Sequence, residues 1–493
     1  MKRLFLLLVF APALFAQTVD SNAVDRLARD TMLRWKIPGL SIAIVQNDRV
    51  VYLKGFGVRE LGSNAPVTPD TLFQIASTTK AFTTTSMAML VDEKKMSFDD
   101  PVRKHLEYFH LSDPCADSMV TLRDIVSHRT GLNEHDEKWD YTDMTREEML
   151  RRESAVKLNK PFRTAYQYNN TMFIAAGEAV AAAAKIPWSD FVRTRIFEPL
   201  GMRETVVSET DYQRAEHASG HWYDSAKDSV QKQTMQPYET LGPGGGIKSS
   251  ARDMAQWLRF QLNNGEIDGK RLVSADALQE TKMPTTIVPL VGGTKERNPE
   301  TNLYTYGLGW WIQDYRGELV VFHTGSLNGF RTQVNQLPKQ KSGFVILSNL
   351  GRSNALVALR NGLLDLLIGK PSPRDWNAYY LALDQKSFTS SQSTKATADT
   401  KRHANTHPSR ELAAYAGTYE SAAYGALTVS VDGDHLVLRY GRLTIPLTHY
   451  HFDTFAAVND EEDIDEKVTF ALDADGEVKS LTLWDEEYSR KKG

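Results

Sequence analysis

Thr71-Leu-Phe-Gln-Ile-Ala-Ser77-Thr-Thr-Lys80 reads as an extended run that reaches a serine and then passes into Ala81–Glu93, where apolar residues recur at helical spacing. A serine at such a junction presents its hydroxyl at a helix start, whose positive end favours negative charge on oxygen. Positions i and i+3 share a helix face, so Lys80 is placed beside Ser77. The Ser-x-x-Lys spacing also occurs at Ser154, Ser229 and Ser489, and by itself it fits a capping serine followed by a solvated lysine. Only at Ser77 does a strand-like run precede the serine and a long helix follow it.

Outward from this junction the pattern defines an α/β (α+β) fold. Upstream, a helical stretch with Val24, Leu27, Ala28, Met32 and Leu33 on one face leads to strands over Leu40–Gln46 and Arg49–Phe56, joined at Asn47-Asp48. Downstream, helices are expected at Leu122–Ser127, Arg146–Glu153, Thr171–Ala184, Trp188–Phe197 and Ala251–Leu262. Strand-like runs return at Gly307–Ile312, Leu319–His323, Phe330–Gln336 and Gly343–Ser348, followed by a helix near Asn354–Leu367. Strands at both ends with helices between them predict one antiparallel sheet closed by the two ends, with flanking helices and an inserted helical lobe. The cleft is expected between sheet and lobe.

Two further patterns lie at element edges in this frame. Tyr168-Asn-Asn170 precedes the helix at Thr171, and of 19 tyrosines only Tyr168 has Asn at i+2. A phenol near an ammonium ion can have its pKa lowered toward a base, and an amide can orient a lysine or a carbonyl; Asn170 also suits a helix cap. His323-Thr-Gly325 ends a strand and is the only His-x-Gly among 12 histidines. Glycine there lets a substrate backbone lie alongside the strand, although a strand-end histidine read alone is more often structural. Trp310 and Trp311 alternate on a strand, one for the core and one for the cleft.

With Ser-x-x-Lys, Tyr-x-Asn and His-x-Gly in this order, the chain resembles the serine β-lactamase and penicillin-binding-protein superfamily. The likeness is to the branch of class C β-lactamases, D-aminopeptidases, alkaline D-peptidases and family VIII esterases. It spans about Asp25–Leu367 and is supported by Ile125-Val-Ser-His-Arg-Thr-Gly-Leu132, Phe197-Glu-Pro-Leu-Gly-Met202, Gly242-Pro-Gly-Gly-Gly-Ile247 with Asp253, and Tyr306-Gly-Leu-Gly-Trp310. The resemblance implies Ser77 as nucleophile, Lys80 as its partner, Tyr168 as general base and Asn170 as orienter of substrate and lysine. It further implies that His323 and Gly325 bind substrate and that backbone N–H groups of Ser77 and Ser326 form an oxyanion hole. Whether lysine or tyrosine takes the serine proton stays open.

The chain departs from the β-lactamases of this branch at His323, where they carry lysine. A largely neutral imidazole is a poor partner for a substrate carboxylate, which ranks aminopeptidase, peptidase or esterase activity ahead of β-lactamase or DD-carboxypeptidase. A noncatalytic penicillin-recognising, cell-wall-binding protein is the alternative from another class.

Composition sets the remaining limits. A formal charge of −4 offers no basic excess, so a small peptide, amide or ester substrate is expected and nucleic acid is not. Lys2 and Arg3 followed by the apolar run Leu4–Phe15 read as an export signal over residues 1–16, which implies a periplasmic or secreted protein; no later run suits a membrane span. Cys115 is the only cysteine, so no internal disulfide exists, and neither a metal site nor a cofactor is expected. Residues 17–386 are assigned to the hydrolase domain. Residues 387–410, poor in large apolar side chains, are assigned to a linker, and 411–493 to a small antiparallel β domain of barrel or sandwich type. In that domain the acidic run Asp460–Glu466 reads as a solvated loop, and oligomeric state is not legible.

Overall fold

The computed structural model of the protein describes residues 19–400 and 402–491, so the expected signal at 1–16 lies outside the described residues. Helix α1 (Ser21–Trp35) starts at Asp20, whose carboxylate accepts a hydrogen bond from the backbone N–H of Asn22, and buries Val24, Ala28 and Trp35. Strands β1 (Gly39–Gln46) and β2 (Arg49–Gly57) form the first hairpin. The chain then leaves the sheet for a helical lobe containing α2 (Lys80–Asp92), α3 (Thr171–Ala184) and α4 (Ala251–Leu262). It returns through β3 (Thr286–Ile287), β4 (Tyr304–Tyr306), β5 (Trp311–Tyr315), β6 (Glu318–Leu327), β7 (Phe330–Leu337) and β8 (Ser342–Ser348), and α5 (Ser353–Leu367) follows. The sheet order is β2-β1-β8-β7-β6-β5-β4-β3, and the neighbours pair antiparallel.

The predicted closure of the sheet by its two ends is what the register shows: Leu40 lies opposite Ser348 and Gln46 opposite Ser342. Alternate side chains of these two strands enter different cores. Leu40, Ile42, Ile44, Phe344 and Ile346 pack with α1 and α5, whereas Ala43, Val45, Val345 and Leu347 pack toward α4 and the lobe. Both faces are therefore apolar, which is why β1 and β8 read as continuous hydrophobic runs. Helix α2 is enclosed from Lys80 to Leu90 and lacks a polar face, in keeping with a central helix built from Ala, Thr, Ser and Met.

Of the run Gly307–Ile312, expected as one strand, Gly307–Trp310 form the turn between β4 and β5, and only Trp311 and Ile312 belong to β5. Gly309 has φ +78°, and a Cβ there would lie 2.9 Å from the Thr84 hydroxyl and 3.1 Å from the Lys80 carbonyl oxygen, so a tight turn packs against α2 at this point. The short hairpin His221–Asp224 with Ser229–Lys232 and the edge strand β3 are elements that the sequence pattern did not reveal.

The segment 387–410, expected as a linker, begins as helix. Helix α6 (Trp376–Thr400) is anchored by buried Trp376, Asn377 and Tyr380 and continues into its polar half, where no Gly or Pro interrupts it. Beyond it, β9 (Gly417–Ser421), β10 (Gly425–Asp432), β11 (His435–Tyr440), β12 (Leu443–His451), β13 (Thr454–Asn459), β14 (Ile464–Leu472), β15 (Val478–Leu483) and β16 (Glu486–Arg490) make a closed barrel. The closing strand β16 was not legible because only Tyr488 of Glu-Glu-Tyr-Ser-Arg points inward. A helical turn, Leu412–Tyr415, precedes β9.

The barrel rests on the lobe. The N–H of Arg442 donates to the Tyr141 carbonyl at 2.8 Å, the Tyr141 and Trp484 rings stack with centroids 6.4 Å apart, and His135 Nδ1 is 2.6 Å from the Tyr424 hydroxyl. The acidic run Asp460–Glu466 is only partly a solvated loop. Glu461 accepts the Thr234 N–H at 2.7 Å, and Glu462 accepts from Asn328 Nδ2 at 3.0 Å and from Gln236 Nε2 at 3.2 Å. Among the described residues no helix is long and apolar enough to cross a membrane.

Candidate active site

Ser77 lies in a single 3-10 turn, Ala76–Thr79, that runs into α2. The turn is entered through Ala76 at φ +50°, a left-handed conformation that costs energy for a residue with a Cβ and persists only where neighbours impose it. Those neighbours are present. The Ile75 N–H donates to Ile247 O at 3.0 Å, and Ile75 O accepts the hydroxyls of Thr78 at 2.7 Å and Thr332 at 2.8 Å. On the opposite side β6 passes so close that a Cβ on Gly325 would lie 2.3 Å from Ile75 O and 3.0 Å from the Ala76 Cβ. Gly325 thus serves the contact between strand and nucleophile turn, a different use from the expected passage of a substrate backbone.

Lys80 is fully buried and its Nζ has three acceptors: Asn170 Oδ1 at 2.6 Å, Gly244 O at 2.7 Å and Ser77 Oγ at 3.1 Å. Burial pushes its pKa down to about 7, with Asp136 and Glu134 opposing the shift. Near neutral pH the two protonation forms therefore coexist. In the amine form, N–H bonds to Asn170 and Gly244 leave the lone pair directed at Ser77, which is the geometry of a proton acceptor.

The ring face of Tyr168 lies 4.8 Å from Lys80 Nζ, and the nearby Ser77 hydroxyl favours the phenolate only weakly. The expectation that the ammonium lowers this phenol is reversed: burial dominates and raises its pKa well above the ordinary value. The lysine sits over the ring and not beside the oxygen, so its charge cannot offset the lost hydration. Asn170 is fixed from behind, its Nδ2 donating to Asp136 Oδ1 at 3.1 Å and Oδ2 at 2.9 Å. Asp136 and the Gly244 carbonyl are parts of this assembly that motif reading missed. The Gly-rich segment 242–247 was visible, but only as a family likeness, and Asp136 sits in a polar run with no spacing signal.

The ring of His323 lies in a closed pocket, which corrects its expected place against substrate. It is 1% exposed; Nδ1 lies 2.6 Å from Thr324 O and Nε2 2.9 Å from the Tyr306 hydroxyl. Nδ1 donates, Nε2 accepts, and burial with nearby Lys80 pushes the pKa down to about 3, so the ring is neutral. His323→Lys should accordingly lower stability by about 1–3 kcal/mol, the cost of a buried polar group without a proper partner. It should bring no new preference for carboxylate-bearing substrates. Denaturant unfolding and a pair of charged and neutral substrates measure both; a gain confined to the charged substrate would refute the closed-pocket reading.

Strand β6 has an open margin. β5 pairs with it only as far as Trp311 opposite Phe322, leaving Thr324–Leu327 without a strand on that side, and Ser326 there is exposed. Trp311 is partly exposed and packs on Tyr304 and Tyr166, while Trp310 is buried. The turn that carries Ser77 packs against β6 at Gly325, so the open margin of β6 adjoins the nucleophile turn.

A family model described as Beta-lactamase matches residues 24–368, and a second, described as a domain of unknown function (DUF3471), matches residues 401–492. Unguisins hydrolase ungD' of Aspergillus campestris is 29% identical over 430 residues, covering 84% of this chain and 78% of the relative. Protein flp of Staphylococcus aureus strain MW2 is 26% identical over 346 residues, covering 68% of this chain and 64% of its own length. The octameric penicillin-binding protein homologue from Pyrococcus abyssi superposes with a TM-score of 0.62 over 95% of this chain and 99% of that one, at 23% identity, a likeness of fold.

Proposed function

The chain belongs to the beta-lactamase family of serine hydrolases, and from that premise we propose that it cleaves small peptides, amides or esters through an acyl-enzyme on Ser77. The observation that carries this reading is Lys80 Nζ, 3.1 Å from Ser77 Oγ with its pKa drawn down to about 7. Neutral Lys80 takes the hydroxyl proton as Oγ attacks the carbonyl carbon, and the backbone N–H groups of Ser77 and Ser326 receive the oxyanion. Tyr168, whose phenol holds its proton, passes a proton to the leaving amine or alkoxide, and Lys80 restores it. Water then attacks the ester carbonyl with Lys80 again taking a proton; the Ser77 Oγ–acyl bond breaks, Lys80 returns that proton to Oγ, and the acid product leaves.

With the His323 ring neutral and enclosed, position 323 brings no cation to the cleft for a substrate carboxylate, which supports aminopeptidase, peptidase or esterase activity over penicillin hydrolysis. The apolar run Leu4–Phe15 supports export of the enzyme. A noncatalytic penicillin-recognising protein would need none of the buried lysine, amide and carbonyl arrangement behind Ser77.

Intact-mass measurement after exposure to a fluorophosphonate should show one adduct on the wild type and none on Ser77→Ala. An adduct that survives in Ser77→Ala would overturn the assignment. Turnover of D-aminoacyl amides, p-nitrophenyl esters and a chromogenic cephalosporin then ranks the substrate classes, with the first two expected ahead of the third.

A further inference from the structure

Between α4, β6 and β7 lies a second pocket, of about 260 Å³, whose lining includes Leu262, Ile312 and Val321. Met283 and Leu319 also line it and are 59% and 50% exposed, which gives the pocket an apolar lip. In its wall stands Lys282, 8% exposed. Its Nζ donates to the Gln261 carbonyl of α4 at 2.9 Å and to Gln336 Oε1 of β7 at 3.0 Å, and the Trp310 ring centroid is 6.0 Å away. These groups are neutral, and among the described residues no carboxylate pairs with Lys282. Gln336 Nε2, on the same amide that accepts from Lys282, is buried with no acceptor.

A buried lysine without a counterion is costly, and so is an amide N–H without an acceptor. One ligand group satisfies both: a carboxylate, with one oxygen toward Nζ and the other toward Gln336 Nε2. A single cation in apolar walls suits a singly charged anion, and the lip suits an aliphatic or aromatic tail. We propose that this pocket is a binding site, separate from the Ser77 cleft, for a small monocarboxylate with an apolar tail held by Lys282 and Gln336.

The site carries its own signature. Burial alone holds the empty-site lysine at about 7, so at pH 8 it is mostly neutral, whereas the ligand needs it charged. An anion bound beside it raises that pKa, and binding above pH 7 must take up a proton.

The test is calorimetric titration of the full chain with hexanoate, in buffers of differing ionisation enthalpy. Uptake of roughly one proton is expected at pH 8 and close to none at pH 6, with affinity weakening several-fold between about pH 7 and pH 8. Gln336→Leu should weaken binding by roughly tenfold, as for one hydrogen bond to a charged group, Lys282→Met should abolish it, and hexylamine should not bind. No binding of hexanoate, binding without proton uptake at pH 8, or unchanged affinity in Lys282→Met would each overturn the proposal. The proton count is made on the wild type, so it decides even if a variant fails to fold.

Discussion

Lys80→Ala is expected to lower kcat by about two to four orders of magnitude, the usual range for removal of a general base. Three short contacts hold Nζ, and no other described group offers Ser77 an acceptor with a pKa close to neutral. The wild-type profile of kcat/KM should therefore rise with pH through about 7, as Lys80 loses its proton and gains its lone pair. Lys80→Arg retains the charge but cannot surrender it near neutrality, so it should be as inactive as the alanine variant, with no limb near pH 7. Tyr168→Phe should lose activity too, and the loss in the double variant should fall short of the product of the single ones because both residues serve one proton path. A profile flat across pH 6–8, or an active Lys80→Arg, would assign the proton to another group.

Lys138→Met is expected to destabilise the protein by about 3–5 kcal/mol, as for breaking one side of a buried ion pair. Lys138 and Glu153 are both 0% exposed and pair through Nζ and Oε1, while the other carboxylate oxygen of Glu153 has no partner. Removing the lysine leaves a buried carboxylate beneath the barrel, whose Tyr424 ring lies 5.8 Å from Nζ. Lys138→Met with Glu153→Leu should recover most of the loss, since an apolar pair of similar volume carries no charge to desolvate. Urea unfolding of the two single variants and the double variant gives the answer. Equal loss in the double and single variants would mean that shape, and not charge, decides the site.

Much of the fold was legible because β1 and β8 are continuous apolar runs with sharp ends and α4 is strongly amphipathic; α3 and α4 begin and end where the pattern placed them. The turn Gly307–Trp310 was not, since its apolar residues imitate a strand and only the approach of α2 explains Gly309. In the site, Ser77, Lys80, Tyr168 and Asn170 could be found because each stands at the edge of an element with a distinctive neighbour. Gly244 contributes through a carbonyl oxygen, which every residue possesses, so its side chain gave no sign. His323 was legible as a special position but not in orientation: which way a strand-end ring turns depends on Tyr306 and Lys80, brought to it from elsewhere in the chain.

Because β1 pairs with β8, the hairpin Gly39–Gly57 must wait for its neighbour, with Leu40 meeting Ser348 only after the whole lobe has been made. Closing a loop of that length forfeits chain entropy before any contact repays it, and such topologies fold slowly. Until then β1 exposes two apolar faces and an unpaired margin, which is the form of strand that recruits other chains. Refolding yield should consequently fall steeply with protein concentration. On a ribosome the same sheet stays open until β8 emerges, so the interval between the synthesis of Gln46 and that of Ser342 is when this chain most needs protection from its neighbours.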